Sequence, residues 1–283
     1  MQHLTGFADL AERYDAFIID LWGVIHDGVT PYEGAVDCLV RLRAAGKPTV
    51  LLSNAPRRAY VAQQAMRAMG IADNLYTGIL TSGEVTHRLL RDRADPWFAA
   101  LGTRVFHLGQ DRDLNVVETL PVELVDDPAE ADFVLNTGAH EELSLTDVTA
   151  YEGVLGACRA AGLPMVCANP DLEVIREGAR WICAGAMAQR YEALGGEARW
   201  IGKPDPAVYA PVLETLSAPK PRVLAVGDAL RTDMAGAAAV GVDGCWVLGG
   251  IHAEELGADS ALVDRTAKAA GLSPVAAIPA FMW

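Results

Sequence analysis

Five side chains have the types and the chain positions for phosphoryl chemistry: Asp20, Ser53, Lys203, Asp228 and Asp233. Asp20 ends a short apolar run, residues 17–19, and Gly23 follows three residues later. A carboxylate there can attack phosphorus in line and form an acyl phosphate, which splits a hard hydrolysis into two easier steps. The Ser53 hydroxyl, with neighbouring backbone N–H groups and Asn54, can hold phosphate oxygens. Lys203 adds a fixed positive charge between nucleophile and phosphate. Asp20, Asp228 and Asp233 are hard oxygen ligands of the kind Mg²⁺ takes. Each piece alone has a plain structural reading. An Asp or a Ser-Asn after a strand is ordinarily a turn, Gly202-Lys203-Pro204 a solvated loop, and Asp233 a helix N-cap. The order of all four groups along the chain argues against chance.

The elements around them alternate between strand-like and helix-like runs, which implies parallel βαβ units. Strands are expected at residues 16–20, 49–52, 222–226 and 245–248, and the candidate residues fall at or just beyond the carboxyl ends of the first three. Functional groups of open α/β sheets gather at those ends. The first helix should begin with Thr30 as N-cap, Pro31 as first residue and Glu33 closing a capping box. It would bury Val36, Leu39, Val40 and Leu42 and stop at Gly46. A second helix covers residues 57–69 and ends at Gly70, and a third, rich in small residues, ends at Gly241. Between them lies another αβ series, with strands near 104–108, 132–135 and 165–167 and helices near 84–91 and 145–161. It is domain-sized and interrupts a single sheet. The expected fold is an α/β Rossmann-like parallel-sheet core, residues 1–79 and 182–283, with an inserted α/β cap domain, residues 80–181.

The chain has 283 residues, 51% of them hydrophobic and 21% charged, enough for a sizeable core. Its formal net charge of −14 disfavours nucleic acid or an anionic membrane as partner. A local cationic pocket can still take a small phosphorylated metabolite, and a homodimer is compatible with the sequence. The five cysteines are widely spaced and form no CxxC pair, so neither a zinc site nor a disulfide framework is indicated. The first ten residues lack a signal pattern and no apolar run would span a bilayer. The expectation is a cytoplasmic protein.

The segments Ile18-Ile19-Asp20-Leu21-Trp22-Gly23-Val24, Leu51-Leu52-Ser53-Asn54, Ile201-Gly202-Lys203-Pro204-Asp205-Pro206 and Gly227-Asp228-Ala229-Leu230-Arg231-Thr232-Asp233 resemble the four motifs of the haloacid dehalogenase (HAD) superfamily. The insertion between the second and third motifs, with Asn169-Pro170-Asp171, is similar to the type-II cap class, A subtype, which includes nucleotide, nitrophenyl and pyridoxal phosphatases. The resemblance implies a Mg²⁺-dependent phosphatase acting through an aspartyl-phosphate. Asp20 would be the nucleophile. Asp20, the Trp22 carbonyl and Asp228 would hold the metal, supported by Asp233, while Ser53, Asn54 and Lys203 would hold the phosphoryl group.

One position departs from the family. Its phosphatases carry a second Asp two residues after the nucleophile, as the acid and base of the reaction. Trp22 keeps the metal-binding carbonyl but has only an indole N–H, a donor. Three readings follow. His26 or Asp27 takes over proton transfer, against the plain reading of His26-Asp27-Gly28 as a surface turn. Alternatively the chemistry is that of haloacid dehalogenases, which carry an aromatic residue here and need no metal. Or catalysis is reduced and the protein binds a phosphorylated ligand.

Other positions have two readings each. His140 faces substrate or is a loop histidine. Residues 169–171 lie at the cap–core interface or form an Asx-Pro turn. Arg57-Arg58 steer an anion or start a helix. Trp97, Trp181, Trp200 and Trp246 read as packing residues.

Overall fold

The computed structural model describes residues 1–176, 178–256 and 259–283. Its strands, in chain order, are β1 (Gln2–His3), β2 (Ala16–Ile19), β3 (Thr49–Ser53), β4 (Gly78–Thr81), β5 (Arg104–Leu108), β6 (Glu123–Val125), β7 (Phe133–Asn136), β8 (Pro164–Cys167), β9 (Glu173–Arg176), β10 (Ala179–Ile182), β11 (Glu197–Trp200), β12 (Val223–Gly227), β13 (Asp243–Val247) and β14 (Ala276–Ile278). Among the described residues the core is a seven-stranded parallel sheet in the order β1-β14-β13-β12-β2-β3-β4. Central β2 is buried throughout, which is why it reads as an unbroken apolar run rather than an alternating one. Its side chains still alternate in direction. Phe17 and Ile19 pack with Leu39, Leu42 and Met66 on one face, whereas Ile18 packs with Val208, Val212 and Leu216 on the other. Two helical layers therefore cover one sheet. Ile19 is in register with Leu51 of β3 and Val226 of β12, so the residues after these strands emerge side by side.

The insertion carries its own five-stranded parallel sheet, β11-β8-β7-β5-β6, with apolar clusters on both faces. Its boundaries differ from the expected 80–181. Leu80 and Thr81 belong to β4 and pair with Leu52 and Ser53 of the core. At the other end, β11 pairs with β8 of the cap, and the helix Ala184–Ala193 buries Met187, Ala188 and Tyr191 in the cap cluster. The cap therefore spans residues 82–201. The sequence conceals this because β11 is an edge strand with exposed Glu197 and Arg199, too polar to register as an apolar run. The short strands β1, β6 and β14 escape for a similar reason of length. An antiparallel hairpin, β9 and β10, projects from the cap.

Local starts also differ. The helix after β2 begins at Ala35, after Gly34 at φ 79°, and not at Thr30-Pro31; a short helix, Ala8–Arg13, precedes β2. Residues 22–31 are held as a compact loop by bridges from His26 to Trp22 and to Pro31, and Asp27 Oδ1 accepts the Val29 and Thr30 N–H groups at 2.8 and 2.7 Å. Val40 is 46% exposed, and Cys38 takes the buried position instead. The cap helix expected at 145–161 is α-helical only over Glu152–Ala160. Gly46, Gly70 and Gly241 sit past helix ends with positive φ, as expected. No helix among the described residues is long and apolar enough to cross a membrane.

Polar contacts join cap to core where the chain crosses between them. Ser82 Oγ donates to the Ile201 carbonyl, tying the two crossings together. Arg58 Nε donates to Glu84 Oε2 at 2.6 Å, and the Arg58 N–H to Asn115 Oδ1 at 2.7 Å. Arg57 Nε meets Asp113 Oδ1 at 2.7 Å. The Arg57-Arg58 pair is thus engaged with cap acids and fastens the loop after β3 to the cap, with Arg57 also lining the cavity. Glu84 accepts from Arg58 and, at 3.1 Å, from Arg88. Removing its charge with Glu84→Gln should cost roughly 1–3 kcal/mol. Urea unfolding should show this as a lower midpoint, and an unchanged midpoint would remove the pair from the junction's stability.

Candidate active site

Asp20, Lys203 and Asp233 converge at the carboxyl edge of β2 and β12. The Lys203 ammonium lies 2.7 Å from Asp20 Oδ1 and 2.7 Å from Asp233 Oδ1, and all three are nearly inaccessible to solvent. The Asp20 N–H donates to the Val226 carbonyl at 2.9 Å, which fixes its backbone to the neighbouring strand. Asp233 sits in the wide helical turn Leu230–Met234, and its Oδ2 accepts the Ala229 N–H at 3.1 Å. Asp228 Oδ2 accepts the Ile251 N–H at 2.7 Å, and its carbonyl accepts from Trp246 Nε1 at 2.8 Å. The carboxylate of Asp228 presses against Gly23, where a Cβ would come within 2.0 Å of Oδ2; with φ at 81°, this position is open to glycine alone.

Ser53 Oγ accepts the Ala55 N–H at 3.2 Å, so its own hydroxyl proton remains available to an anion. The Asn54 side chain is differently employed than expected. Its Oδ1 accepts the Lys203 N–H at 2.8 Å, and its Nδ2 donates to Asp171 Oδ1 at 2.9 Å. Asn54 orients the lysine loop and anchors the cap residue Asp171, instead of facing a ligand with its amide. Residues 169–171 do lie at the cap–core interface: the Arg231 guanidinium also donates to the Pro170 carbonyl.

Trp22 is half-buried, and its indole N–H donates to the Ile175 carbonyl of β9 at 2.8 Å. The position that would hold the second carboxylate therefore holds a bond between the core and the cap hairpin. The indole lies so close over Gly28 that a Cβ there would come within 2.1 Å of the ring. His26 is buried edge-on to Trp22, ring centroids 5.9 Å apart, and its Nδ1 accepts the Gly28 N–H at 3.0 Å. Burial pushes the His26 imidazole down to about 4, so at neutral pH it carries no acidic proton beyond that of a neutral ring. Asp27 holds the loop, as described above.

Cap and core enclose a cavity of about 830 Å³, lined by Asp20, Trp22, His26, Ser53, Asn54 and Asp228 from the core. The cap contributes Asp171, the hairpin side chains and Arg112. Trp181 is among the cavity-lining residues, whereas Trp246 is core packing and Trp97 and Trp200 bond to Glu197 and Glu192. His140 lies outside the lining, with its Nδ1 accepting the Glu142 N–H at 3.2 Å. Arg112, Arg176 and the hairpin carry no motif, and their place in the site depends wholly on tertiary structure.

The donor set fits a divalent cation. Oxygens of Asp20, Asp228 and Asp233 lie within 4.8 Å of one another. Against these three carboxylates stands the single ammonium of Lys203, so the ionised cluster is two charges short of neutral. Burial, with the charge of Asp233, raises the Asp228 carboxyl to about 7. Burial and the neighbouring Asp233 and Asp228 also raise Asp20, against the pull of Lys203. Lys203 is pulled down by burial, but Asp20 and Asp233 outweigh that and hold it charged. A hard dication would complete the balance.

This has a consequence for stability. An unfolded Asp loses its proton near pH 3.9 or so, whereas the native, metal-free chain keeps the Asp228 proton up to about pH 7. The native state binds the extra proton between these limits, so stability falls as pH rises through that window. Melting in chelator should show Tm falling between about pH 4 and 7, with a smaller slope in Asp228→Asn and in saturating Mg²⁺. Equal slopes in all three would contradict the assignment. For the hairpin, Trp22→Phe keeps most of the ring but removes a bond worth about 1 kcal/mol. Amide exchange in residues 173–182 should speed up roughly fivefold, and unchanged exchange would mean that the indole N–H does not hold the hairpin.

Comparison with known proteins agrees with this geometry. The haloacid dehalogenase-like hydrolase family profile matches residues 17–123, and a second HAD-hydrolase-like profile matches residues 200–272. Chronophin of Mus musculus is 30% identical over 244 residues, covering 82% of this chain and 81% of that protein. The crystal structure of a haloacid dehalogenase-like hydrolase from Brucella suis 1330 superposes with a TM-score of 0.84 at 34% identity, covering 99% of this chain and 100% of that one. A glycerol phosphate phosphatase from Mycobacterium tuberculosis, solved in complex with calcium, has a TM-score of 0.63 at 26% identity, covering 86% of this chain and 68% of that one. With its two-domain fold and the four strand-end motifs in one cleft, the chain belongs to the haloacid dehalogenase-like hydrolases, among the cap-bearing phosphatases.

Proposed function

We propose that the protein hydrolyses a small phosphomonoester with Mg²⁺, through a phosphoaspartyl intermediate on Asp20. The observation that carries this reading is the buried Lys203 ammonium set 2.7 Å from both Asp20 and Asp233, directly behind the Asp20 carboxylate that lines the cleft. An Asp20 oxygen attacks phosphorus, the bond from phosphorus to the ester oxygen breaks, and the alcohol departs. Water then attacks the acyl phosphate, freeing inorganic phosphate and restoring the carboxylate. Lys203 and the Ser53 hydroxyl hold non-bridging oxygens, and Asn54 keeps the lysine in place. Mg²⁺, held by Asp20, the Trp22 carbonyl and Asp228 with Asp233 in support, would lower the repulsion between anionic nucleophile and anionic substrate. The calcium complex of the related glycerol phosphate phosphatase supports a divalent ion in such a site. The dehalogenase reading has no use for a cluster of three carboxylates.

With Trp22 tied to the hairpin and His26 neutral, no side chain at either position supplies the leaving group with a proton. The alkoxide must draw it from water, and general acid help of roughly 10²–10⁴-fold is forgone. Esters of acidic alcohols suit such a site best. The buried, unpaired cysteines suit a reducing compartment, in line with a cytoplasmic location.

Asp20→Asn should lower turnover of an aryl phosphate by at least about 10³-fold while the fold persists by circular dichroism. The wild type, quenched in acid during turnover, should carry a hydroxylamine-labile phosphate. Retained activity in the variant would overturn the nucleophile assignment. Affinity for phosphate esters without turnover at any Mg²⁺ concentration would make the protein a binder.

A further inference from the structure

The cap side of the cavity carries cations that the proposed reaction does not use. Arg112 lies on the short helical segment Asp111–Val117, and Arg176 ends β9. Both line the cavity. Among the described residues, neither has a carboxylate within ion-pairing distance. Asp113, beside Arg112, is committed to Arg57 at 2.7 Å, and Glu173 on the hairpin is paired with Arg180. Arg176 Nε is buried with no hydrogen-bond partner, and its guanidinium lies over the Trp181 ring, 5.0 Å from the centroid. Arg112 feels the repulsion of two nearby cations: burial pushes its guanidinium down, as do Arg57 and Arg176, against a partial offset from Asp113 and Glu141.

Arg112 is exposed to solvent at the cavity, whereas Arg176 is half-buried, and an unpaired guanidinium with a buried Nε is costly in any protein. Both arginines are conspicuous in a chain of net charge −14, where carboxylates to pair them are plentiful. A guanidinium is built for bidentate binding of a carboxylate or phosphate. The phosphoryl site on the core floor already has its own cation, Lys203. We propose that Arg112 and Arg176 form a second anion subsite, so that the substrate is a phosphomonoester bearing a further carboxylate or phosphate group at its far end. Trp181 and Ile175 line the cavity beside Arg176 and suit an apolar or aromatic body between the two charges. The cavity lies within the roughly 300–1,000 Å³ typical of small-molecule sites. Because Trp22 bonds to Ile175, Arg176 comes into place when the hairpin is seated on the core. The second anion would therefore be read only in the closed state, and this substrate class rests on the phosphatase reading above.

The test uses three aryl phosphates whose phenols have similar acidity: para-ethylphenyl, para-carboxymethylphenyl and para-phosphonomethylphenyl phosphate. With the full-length enzyme and Mg²⁺, kcat/KM should be at least about tenfold higher for one or both doubly anionic esters, matching the worth of a charge-assisted pair. The carboxylate and phosphonate arms tell the two anion types apart. In Arg112→Gln and Arg176→Gln, each checked for folding by circular dichroism, the ratio to the ethyl ester should collapse towards unity. Equal kcat/KM for all three esters in the wild type would overturn the subsite while leaving the phosphatase reading intact. So would a preference that both variants retain. If no ester is turned over, isothermal titration with para-ethylbenzylphosphonate and para-carboxymethylbenzylphosphonate still decides. Tighter binding of the carboxylate, lost in the variants, upholds the subsite without hydrolysis, and equal binding overturns it.

Discussion

A buried ammonium held between two carboxylates is the constraint around which the rest of the site is arranged. Lys203 cannot lose Asp20 or Asp233 without leaving a charge in a place that water barely reaches. Each partner arrives from a different part of the chain: Asp20 from β2, Asp233 from the turn after β12, and Lys203 from the stretch where the chain returns from the cap. The core sheet must therefore be closed up on both sides of β2 before the triad exists. Asn54, reaching from the end of β3 to the Lys203 N–H, brings the fourth strand-end segment into the same lock. Asp228 adds a third carboxylate to the cluster, and the three lie close enough together to hold a dication.

The cap depends on this lock as well. Asp171 is anchored by Asn54, whose other face holds the lysine loop, and Arg231, two residues before Asp233, holds the Pro170 carbonyl. Cap seating and lysine placement thus share side chains. The ion pairs of Arg57 and Arg58 with cap acids lie beside the crossing points, where they limit how the domains can part without blocking the cleft. A cap that moves does so against a few defined polar contacts, and the Trp22–Ile175, Asn54–Asp171 and Arg57–Asp113 contacts all line the cavity.

The strand-end residues were legible in the sequence because parallel, doubly covered strands are nearly pure apolar runs, so a carboxylate or Ser-Asn at the end of one stands out. The insertion was legible as a second series of such runs. Its far boundary was not, since β11 is a half-exposed edge whose polar residues hide its pairing with β8. The helix start at Thr30 failed because Asp27 takes both the Thr30 N–H and the Thr30 hydroxyl, the two groups a capping box would use. Asn54 could be found by motif, but its partners, Lys203 and Asp171, lie 149 and 117 residues away, and spacing cannot reveal them. The cap arginines had no signal at all: a charged residue on a short helical turn or at a strand end looks alike whether it faces water or a cleft.

Trp22 shows how a single substitution can move a site's selectivity from chemistry to geometry. A carboxylate at this position would lend its proton to any leaving group and so widen the range of esters the site can cleave. The indole gives up that generality. Its apolar ring needs the space over Gly28 and its N–H needs an acceptor, and the hairpin carbonyl of Ile175 meets the second need while bringing Trp181 and Arg176 over the cavity. On the proposed mechanism, proton transfer would favour leaving groups that need little help, and the seated hairpin would favour molecules that complete it. Both proposed filters would act on the same part of the substrate, the group beyond the scissile bond, so that the loss of the acid at this position would be compatible with a selective hydrolase.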